Sequence, residues 1–270
     1  KMVNECESEN YIIVKRQGKT VECRASSLLM EKIYDYCNWR QKLTKEIIGK
    51  SYFYIRKIKQ KNLTFLSQAA LLNISKVIKQ VEKKKVKGVF VETGCALGGS
   101  TVLMGLSKNQ ERKLNVYDVF GMIPPPSDED GGDVHERYDK ITKGESTGIK
   151  NDLYYGYEKD LIGKVTKTLA DFGLTEEKDN IHLIQGLYED TLKIDEPVAF
   201  AHIDCDWYSS VMTSLDAIEP NLANGGVMII DDYFAWSGCK TAIDEYFGDA
   251  DFKAKFKFST VNEKLIIEKL

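Results

Sequence analysis

Residues 198–232 read VAFAHIDCDWYSSVMTSLDAIEPNLANGGVMIIDD, and their reading decides the fold. Residues 198–205 and 226–232 are short apolar runs rich in β-branched residues, and 209–223 between them repeats apolar residues at helical spacing. A strand, a helix and a second strand in so short a span form a crossover unit, which places the two strands parallel in one sheet. The same alternation extends outward. Strands are expected at 88–93, 114–119 and 180–186, with helices near 67–84, 99–107, 157–172 and 238–247. Ser67 stands where a helix N-cap belongs, ahead of Leu71, Ile74, Val77, Ile78 and Val81. The chain is therefore expected to be an α/β protein, with a Rossmann-like, mostly parallel sheet covered by helices on both faces. The tail FKFSTVNEKLIIEKL reads as two strands turning at Asn262-Glu263, which predicts an antiparallel edge.

Two departures interrupt the rhythm. Residues 11–24 alternate apolar patches around Gln17-Gly18-Lys19, as in a short hairpin, and a looser helical pattern follows from Ser26 to about Gln60. Residues 1–61 are thus expected to form an extension, and 62–270 the main domain. From Gly121 to about Tyr155, three consecutive prolines, an acidic run (Asp128 to Asp133) and several glycines predict a long loop, read as a lid over a binding site.

Both strands of the crossover unit end in carboxylates: Asp204 on the first, Asp231 and Asp232 on the second. In an open parallel sheet, ligands bind beyond the carboxyl ends of the strands. A single Asp after a strand commonly caps the next helix, and Asp206 is read in that way. The adjacent pair is harder to explain as capping, because two like charges repel unless a cation or hydrogen-bond donors offset them. Asp204, Asp231 and Asp232 are accordingly candidate ligands for a hard metal ion.

The first main-domain strand runs into Glu92-Thr93-Gly94-Cys95-Ala96-Leu97-Gly98-Gly99-Ser100, a glycine-rich turn opening a helix. Such a turn lets a ligand approach the backbone and offers it unpaired N–H groups. Asp118 ends the next strand at the separation where an acidic side chain meets the ribose hydroxyls of a bound adenosine. Gly186 and Tyr188, after the third strand, fall where an adenine ring would rest.

The formal net charge of −3 gives no basic footprint for nucleic acid. The six cysteines show no C-x-x-C pairing, which points to free thiols and a reducing, cytoplasmic setting. No apolar run reaches membrane-spanning length, so a membrane partner is not expected.

The segments ETGCALGGS, VYDVFGMIPPP and IQGLYEDTL, with the run from HIDCDWY to AIDEYF, resemble the macrocin O-methyltransferase family over about residues 62–247. That family consists of S-adenosylmethionine-dependent, magnesium-dependent sugar methyltransferases. The resemblance implies a seven-stranded sheet with an antiparallel last strand. It assigns Asp204, Asp231 and Asp232 to Mg2+ and Glu92, Gly94 and Asp118 to the cofactor, to which the reading of the residues themselves adds Ser100, Gly186 and Tyr188. The metal arrangement is similar to that of catechol O-methyltransferases, but their lysine three positions after the first metal Asp is Trp207 here, so a lysine base is not available at that place.

On this reading the partner is a hydroxyl-bearing sugar, glycan or other small molecule, and the N-terminal extension is compatible with a homo-oligomer or a larger pathway assembly. Asp204 is the first candidate to take the acceptor proton and His135, on the lid, the second. Trp207, Tyr208, Tyr233 and Trp236 are candidates for an apolar wall. The competing readings are a nicotinamide-dependent oxidoreductase, disfavoured by the glycine spacing, and a non-catalytic methyltransferase-like module.

Overall fold

A computed structural model describes residues 3–6, 11–16, 19–24 and 49–270 of the chain. It divides into two compact units, 1–50 and 51–270. In the first, β1 (Val3–Cys6), β2 (Tyr11–Arg16) and β3 (Lys19–Arg24) form an antiparallel sheet, with Tyr11 opposite Arg24 and Arg16 opposite Lys19. The expected hairpin is therefore present, while its turn and the helical pattern expected over 26–48 lie outside the described residues. The second unit begins ahead of the expected boundary at 61. Ile55 and Ile58, in a helix (α1) over residues 49–60, are buried in its core.

The second unit is built on a seven-stranded sheet. Its strands are β4 (Val89–Thr93), β5 (Leu114–Asp118), β6 (Ile181–Gln185), β7 (Val198–Ile203), β8 (Leu222–Ile230), β9 (Phe256–Val261) and β10 (Lys264–Lys269), in the spatial order β6-β5-β4-β7-β8-β10-β9. Six strands share one direction and β10, the last in the chain, runs against its two neighbours. The tail turns at Asn262 and Glu263, both at positive φ. The central strands β4 and β7 are buried throughout, as near-continuous apolar runs require in a sheet covered on both faces.

Two clusters of buried side chains fill the layers. α2 (Gln68–Lys83), α3 (Gly99–Ser107) and α5 (Leu161–Asp171) pack on one face through Leu71, Ile74, Ile78, Leu103 and Val165. After two single-turn helices, α6 (Glu176–Asp179) and α7 (Tyr188–Thr191), α8 (Tyr208–Ile218) and α9 (Ser237–Tyr246) pack on the other through Val211, Leu215 and Ile243. Each such aliphatic side chain contributes about 1.5–3 kcal/mol of hydrophobic stabilisation. Ser67 caps α2 by accepting from the Ala70 N–H at 3.1 Å, as its place in the sequence predicts.

The segment 121–155 differs from the expected loop: it contains α4 (Gly132–Thr142), whose Val134 and Ile141 are buried. These two lie seven residues apart on one helical face, too sparse a pattern to stand out beside the prolines and glycines preceding it. Among the described residues, no helix is long and apolar enough to cross a membrane.

Candidate active site

Sheet register sets the geometry. Thr93 pairs with Ile203, and Ile203 with Ile230, so β4, β7 and β8 end level with one another. The next residues continue the ladder: the Asp204 N–H donates to the Thr93 carbonyl and the Asp231 N–H to the Ile203 carbonyl, each at 2.9 Å. Gly94, Asp204 and Asp231 thus stand side by side one residue beyond the sheet. Gly94 has φ +86°, and a Cβ there would sit 1.9 Å from the Asp204 carbonyl oxygen, so this close approach admits only glycine.

A cavity of about 660 Å3 opens along these strand ends. At one end lie Gly94, Cys95, Ser100, Asp118, Tyr188 and Glu189. Asp118 organises the turn: one carboxylate oxygen accepts from the N–H groups of Cys95 (2.8 Å) and Ala96 (3.2 Å), the other from that of Phe120 (2.7 Å). A carboxylate offers about four acceptor positions, so capacity remains for a ligand hydroxyl. Burial raises the Asp118 pKa while these N–H bonds work to lower it.

Two expected cofactor residues are placed differently. Gly186 does not line the cavity; its N–H bonds to the Asp118 carbonyl at 3.1 Å. Glu92 is fully buried beneath the cavity, accepting from the Thr101 hydroxyl at 2.5 Å and lying 3.1 Å from His202 Nδ1.

At the other end the structure gathers Asp204, Asp206 and Asp232, with one oxygen of each within 4.8 Å of the others. Asp206 reaches this group from a left-handed backbone conformation, φ +60°. It does not cap α8. Asp231 faces another way: Oδ2 accepts from Lys264 Nζ at 2.6 Å, and Oδ1 lies 3.9 Å from His202 Nε2, too far for a hydrogen bond.

The electrostatics follow from this division. Burial first, then the charges of Asp231 and Asp232, holds the Asp204 pKa well above the usual carboxylate range. Burial and the charge of Asp204 push Asp206 up to about 7. Asp232 is likewise raised, by burial and then by Asp206 and Asp231. Burial acts against Asp231 as well, but the neighbouring His202 and Lys264 outweigh it and lower its pKa.

The donor set fits a hard divalent cation. Its members are carboxylate oxygens, their mutual repulsion calls for positive charge, and Asp231 Oδ1 and Asp232 Oδ2 are buried without a hydrogen-bond partner among the described residues.

The segment 121–155 roofs the cavity and is fastened at several points. Trp207 Nε1 donates to the Pro124 carbonyl at 3.0 Å, Asp130 accepts from the Tyr208 N–H at 2.8 Å, and Asp133 from the Ser237 N–H at 3.1 Å. Arg137, Ile141, Tyr154 and Tyr155 face the cavity. His135 does not: it is exposed on α4, away from the lining. Of the four aromatics read as a wall, Trp207 and Trp236 line the cavity with their rings 5.8 Å apart, whereas the hydroxyls of Tyr208 and Tyr233 bond to Glu245 and Asp244 on α9.

Sequence reasoning missed Arg137, Lys264 and the part played by Asp206. The i, i+2 spacing of Asp204 and Asp206 was the available signal for the last. Nothing local marks Lys264, which arrives from the tail hairpin.

Residues 56–258 match the sequence profile of the family described as macrocin O-methyltransferase (TylF). The chain is 28% identical over 218 residues to the demethyldecarbamoylnovobiocin O-methyltransferase of Streptomyces niveus, covering 76% of this chain and 72% of that protein. It is 29% identical over 191 residues to the 8-demethyl-8-(2,3-dimethoxy-alpha-L-rhamnosyl)-tetracenomycin-C 4'-O-methyltransferase of Streptomyces olivaceus, covering 68% and 67%. Among solved structures, the O-methyltransferase NovP superposes with a TM-score of 0.63 at 24% identity, over 77% of this chain and 81% of that one, and so shares its fold.

Proposed function

This chain belongs to the macrocin O-methyltransferase family, and on that premise we propose that it transfers the methyl group of S-adenosylmethionine to a sugar hydroxyl on a small molecule or glycan, with Mg2+ held in the acidic seat. The observation that carries this reading is one continuous cavity, joining the glycine turn and Asp118 to the carboxylates of Asp204, Asp206 and Asp232.

At the first end, Gly94 leaves room for the cofactor against the backbone, Asp118 would accept from a ribose hydroxyl with its remaining acceptor position, and Ser100 and Tyr188 line the same end. At the second, Asp204, Asp206 and Asp232 would hold the metal, with Asp231 available on its Oδ1 side. A divalent ion held there would supply Lewis acidity, lowering the pKa of an acceptor hydroxyl.

The chain's own contribution is alignment and proton handling. Methyl transfer is an in-line displacement, and fixing oxygen, methyl and sulfur in a line is worth up to roughly 7–11 kcal/mol. Trp236, which is only partly buried, would offer a flat surface for a sugar ring beneath the roof. Asp204 and Asp206 are the candidates to accept the hydroxyl proton; burial and mutual repulsion raise both pKa values in the metal-free seat, and a bound cation would lower them again. His135, exposed and outside the cavity, has no such access.

The test is calorimetric titration with S-adenosylhomocysteine and with MgCl2, followed by mass-spectrometric detection of methylated products from a sugar and glycoside library. Binding of neither ligand would refute the proposal. Asp232→Ala is expected to abolish magnesium-dependent turnover while leaving S-adenosylhomocysteine affinity within about threefold, since that side chain lies at the far end of the cavity.

A further inference from the structure

Eight of the residues lining the cavity are Asp or Glu, and among the described residues just two cations face it, Arg137 and Lys264. Lys264 is committed to Asp231 through both the side-chain and the backbone oxygen. Arg137 is not committed. Its Nη1 donates to Ser146 Oγ at 2.9 Å, and its guanidinium lies 5.3 Å from the centre of the buried Tyr154 ring, which fixes its plane. No carboxylate among the described residues lies within ion-pair distance of it. Asp206 feels its charge, but only from farther off.

A guanidinium has five N–H donors, and here one is used. In an open cavity the others are left to solvent. An acceptor filling the cavity expels that water, and a half-buried cation with unsatisfied donors then becomes costly unless the acceptor brings a partner of its own. Neutral hydroxyls are poor partners for a planar fork, whereas a carboxylate or phosphate accepts two parallel hydrogen bonds from it. The acidic seat would not repel such an acceptor decisively, because a Mg2+ ion held by Asp204, Asp206 and Asp232 would offset its charge.

Resting on the methyltransferase reading above, we propose that Arg137 is a specificity-determining residue and that the acceptor carries an oxyanion, a carboxylate or a phosphate, on the same molecule as the hydroxyl that is methylated. The competing role for Arg137 is to offset Asp206, which would affect charged and neutral acceptors alike.

The experiment titrates wild type, Arg137→Gln and Arg137→Lys, saturated with S-adenosylhomocysteine and MgCl2, with three probes: methyl β-D-glucuronide, glucose 1-phosphate and methyl β-D-glucoside. At least one anionic probe should bind wild type about tenfold more tightly than the glucoside. Arg137→Gln should remove that preference and leave glucoside and S-adenosylhomocysteine affinity within about twofold, and Arg137→Lys should keep part of it. Preference for the glucuronide identifies a carboxylate, and preference for the phosphate a phosphorylated or nucleotide-linked sugar. Equal binding of charged and neutral probes, equal weakening of all three by Arg137→Gln, or no binding of any probe at about 10 mM, an affinity of only ~3 kcal/mol, overturns the proposal. Failure of wild type to bind S-adenosylhomocysteine would instead count against the methyltransferase reading itself.

Discussion

Asp206→Asn removes one charge from the acidic seat, and its effect on stability has a sign fixed by the structure. The Asp206 pKa is pushed from 3.8 up to about 7 by burial and by Asp204. Between those values the folded protein holds a proton that the unfolded chain has released. The stability this confers is complete below about pH 4 and is lost as pH rises through about 7. The separation corresponds to roughly 4 kcal/mol at ~1.4 kcal/mol per tenfold change, and partial exposure to solvent reduces it to about 2 kcal/mol. For a domain of this size, 1 kcal/mol moves Tm by about 2–4 °C, so metal-free wild type should lose roughly 4–8 °C more than the variant between pH 4.5 and 8. Asp204 and Asp232, relieved of a neighbouring charge in the variant, shift in the same direction. The assay is thermal unfolding in EDTA across that range, repeated with MgCl2, which should restore wild type at pH 8 far more than the variant. Parallel pH curves for the two proteins would refute the account of the seat as a cluster of charges in mutual repulsion.

Asp118→Asn replaces a carboxylate that serves three backbone N–H groups; a cost of about 2–3 kcal/mol and a weaker hold on S-adenosylhomocysteine are expected, read by chemical denaturation and calorimetry. An unchanged denaturation midpoint would show that the glycine turn does not depend on it. Lys264→Met leaves the buried charge of Asp231 with only the more distant His202 to offset it, so about 2–4 kcal/mol should be lost and MgCl2 should recover more stability than in wild type; loss without the added magnesium response would mean that the unpaired Asp231 Oδ1 does not reach the seat. Gly238→Ala puts a methyl group 1.8 Å from Asp130 Oδ1 and must displace it from the Tyr208 N–H, with an expected cost of about 1–2 kcal/mol and faster amide exchange at the start of α8. Unaltered exchange there would argue that Asp130 is not the cap.

Much of the sheet was legible because its signal is local and repeated. Buried parallel strands must be apolar along their whole length, and residues 198–203 and 226–230 carry that pattern openly. The glycine turn and Asp118 were legible for the same reason: a close backbone approach admits few residue types. The seat was less so. Adjacency in sequence suggested that Asp231 and Asp232 act together, yet neighbouring residues at a strand end project to different sides. Asp231 turns to His202 and Lys264, while Asp232 joins Asp204 and Asp206, themselves two residues apart. The lid failed on the same geometry. His135 and Arg137 differ by about 200° around a helix, so placing one in solvent places the other at the cavity, and reading the segment as a loop concealed that choice.

The acidic run of the lid has a physical purpose that composition alone conceals. α8 and α9 both begin without a side-chain cap from their own N-cap residues, Trp207 and Trp236. Helix starts leave N–H groups unpaired, and at each of these two the missing acceptor comes from the lid: Asp130 at Tyr208, Asp133 at Ser237. These helices follow directly on the strand ends that deliver Asp204 and Asp206, and Asp231 and Asp232. The roof of the cavity is therefore fastened to the first turns that hold its acidic floor, at a worth of about 1 kcal/mol per cap. Hydrogen bonds of that size are readily exchanged for water. The lid and the seat are thereby joined through these first turns, and displacing the roof would disturb the backbone beside the carboxylates of the seat.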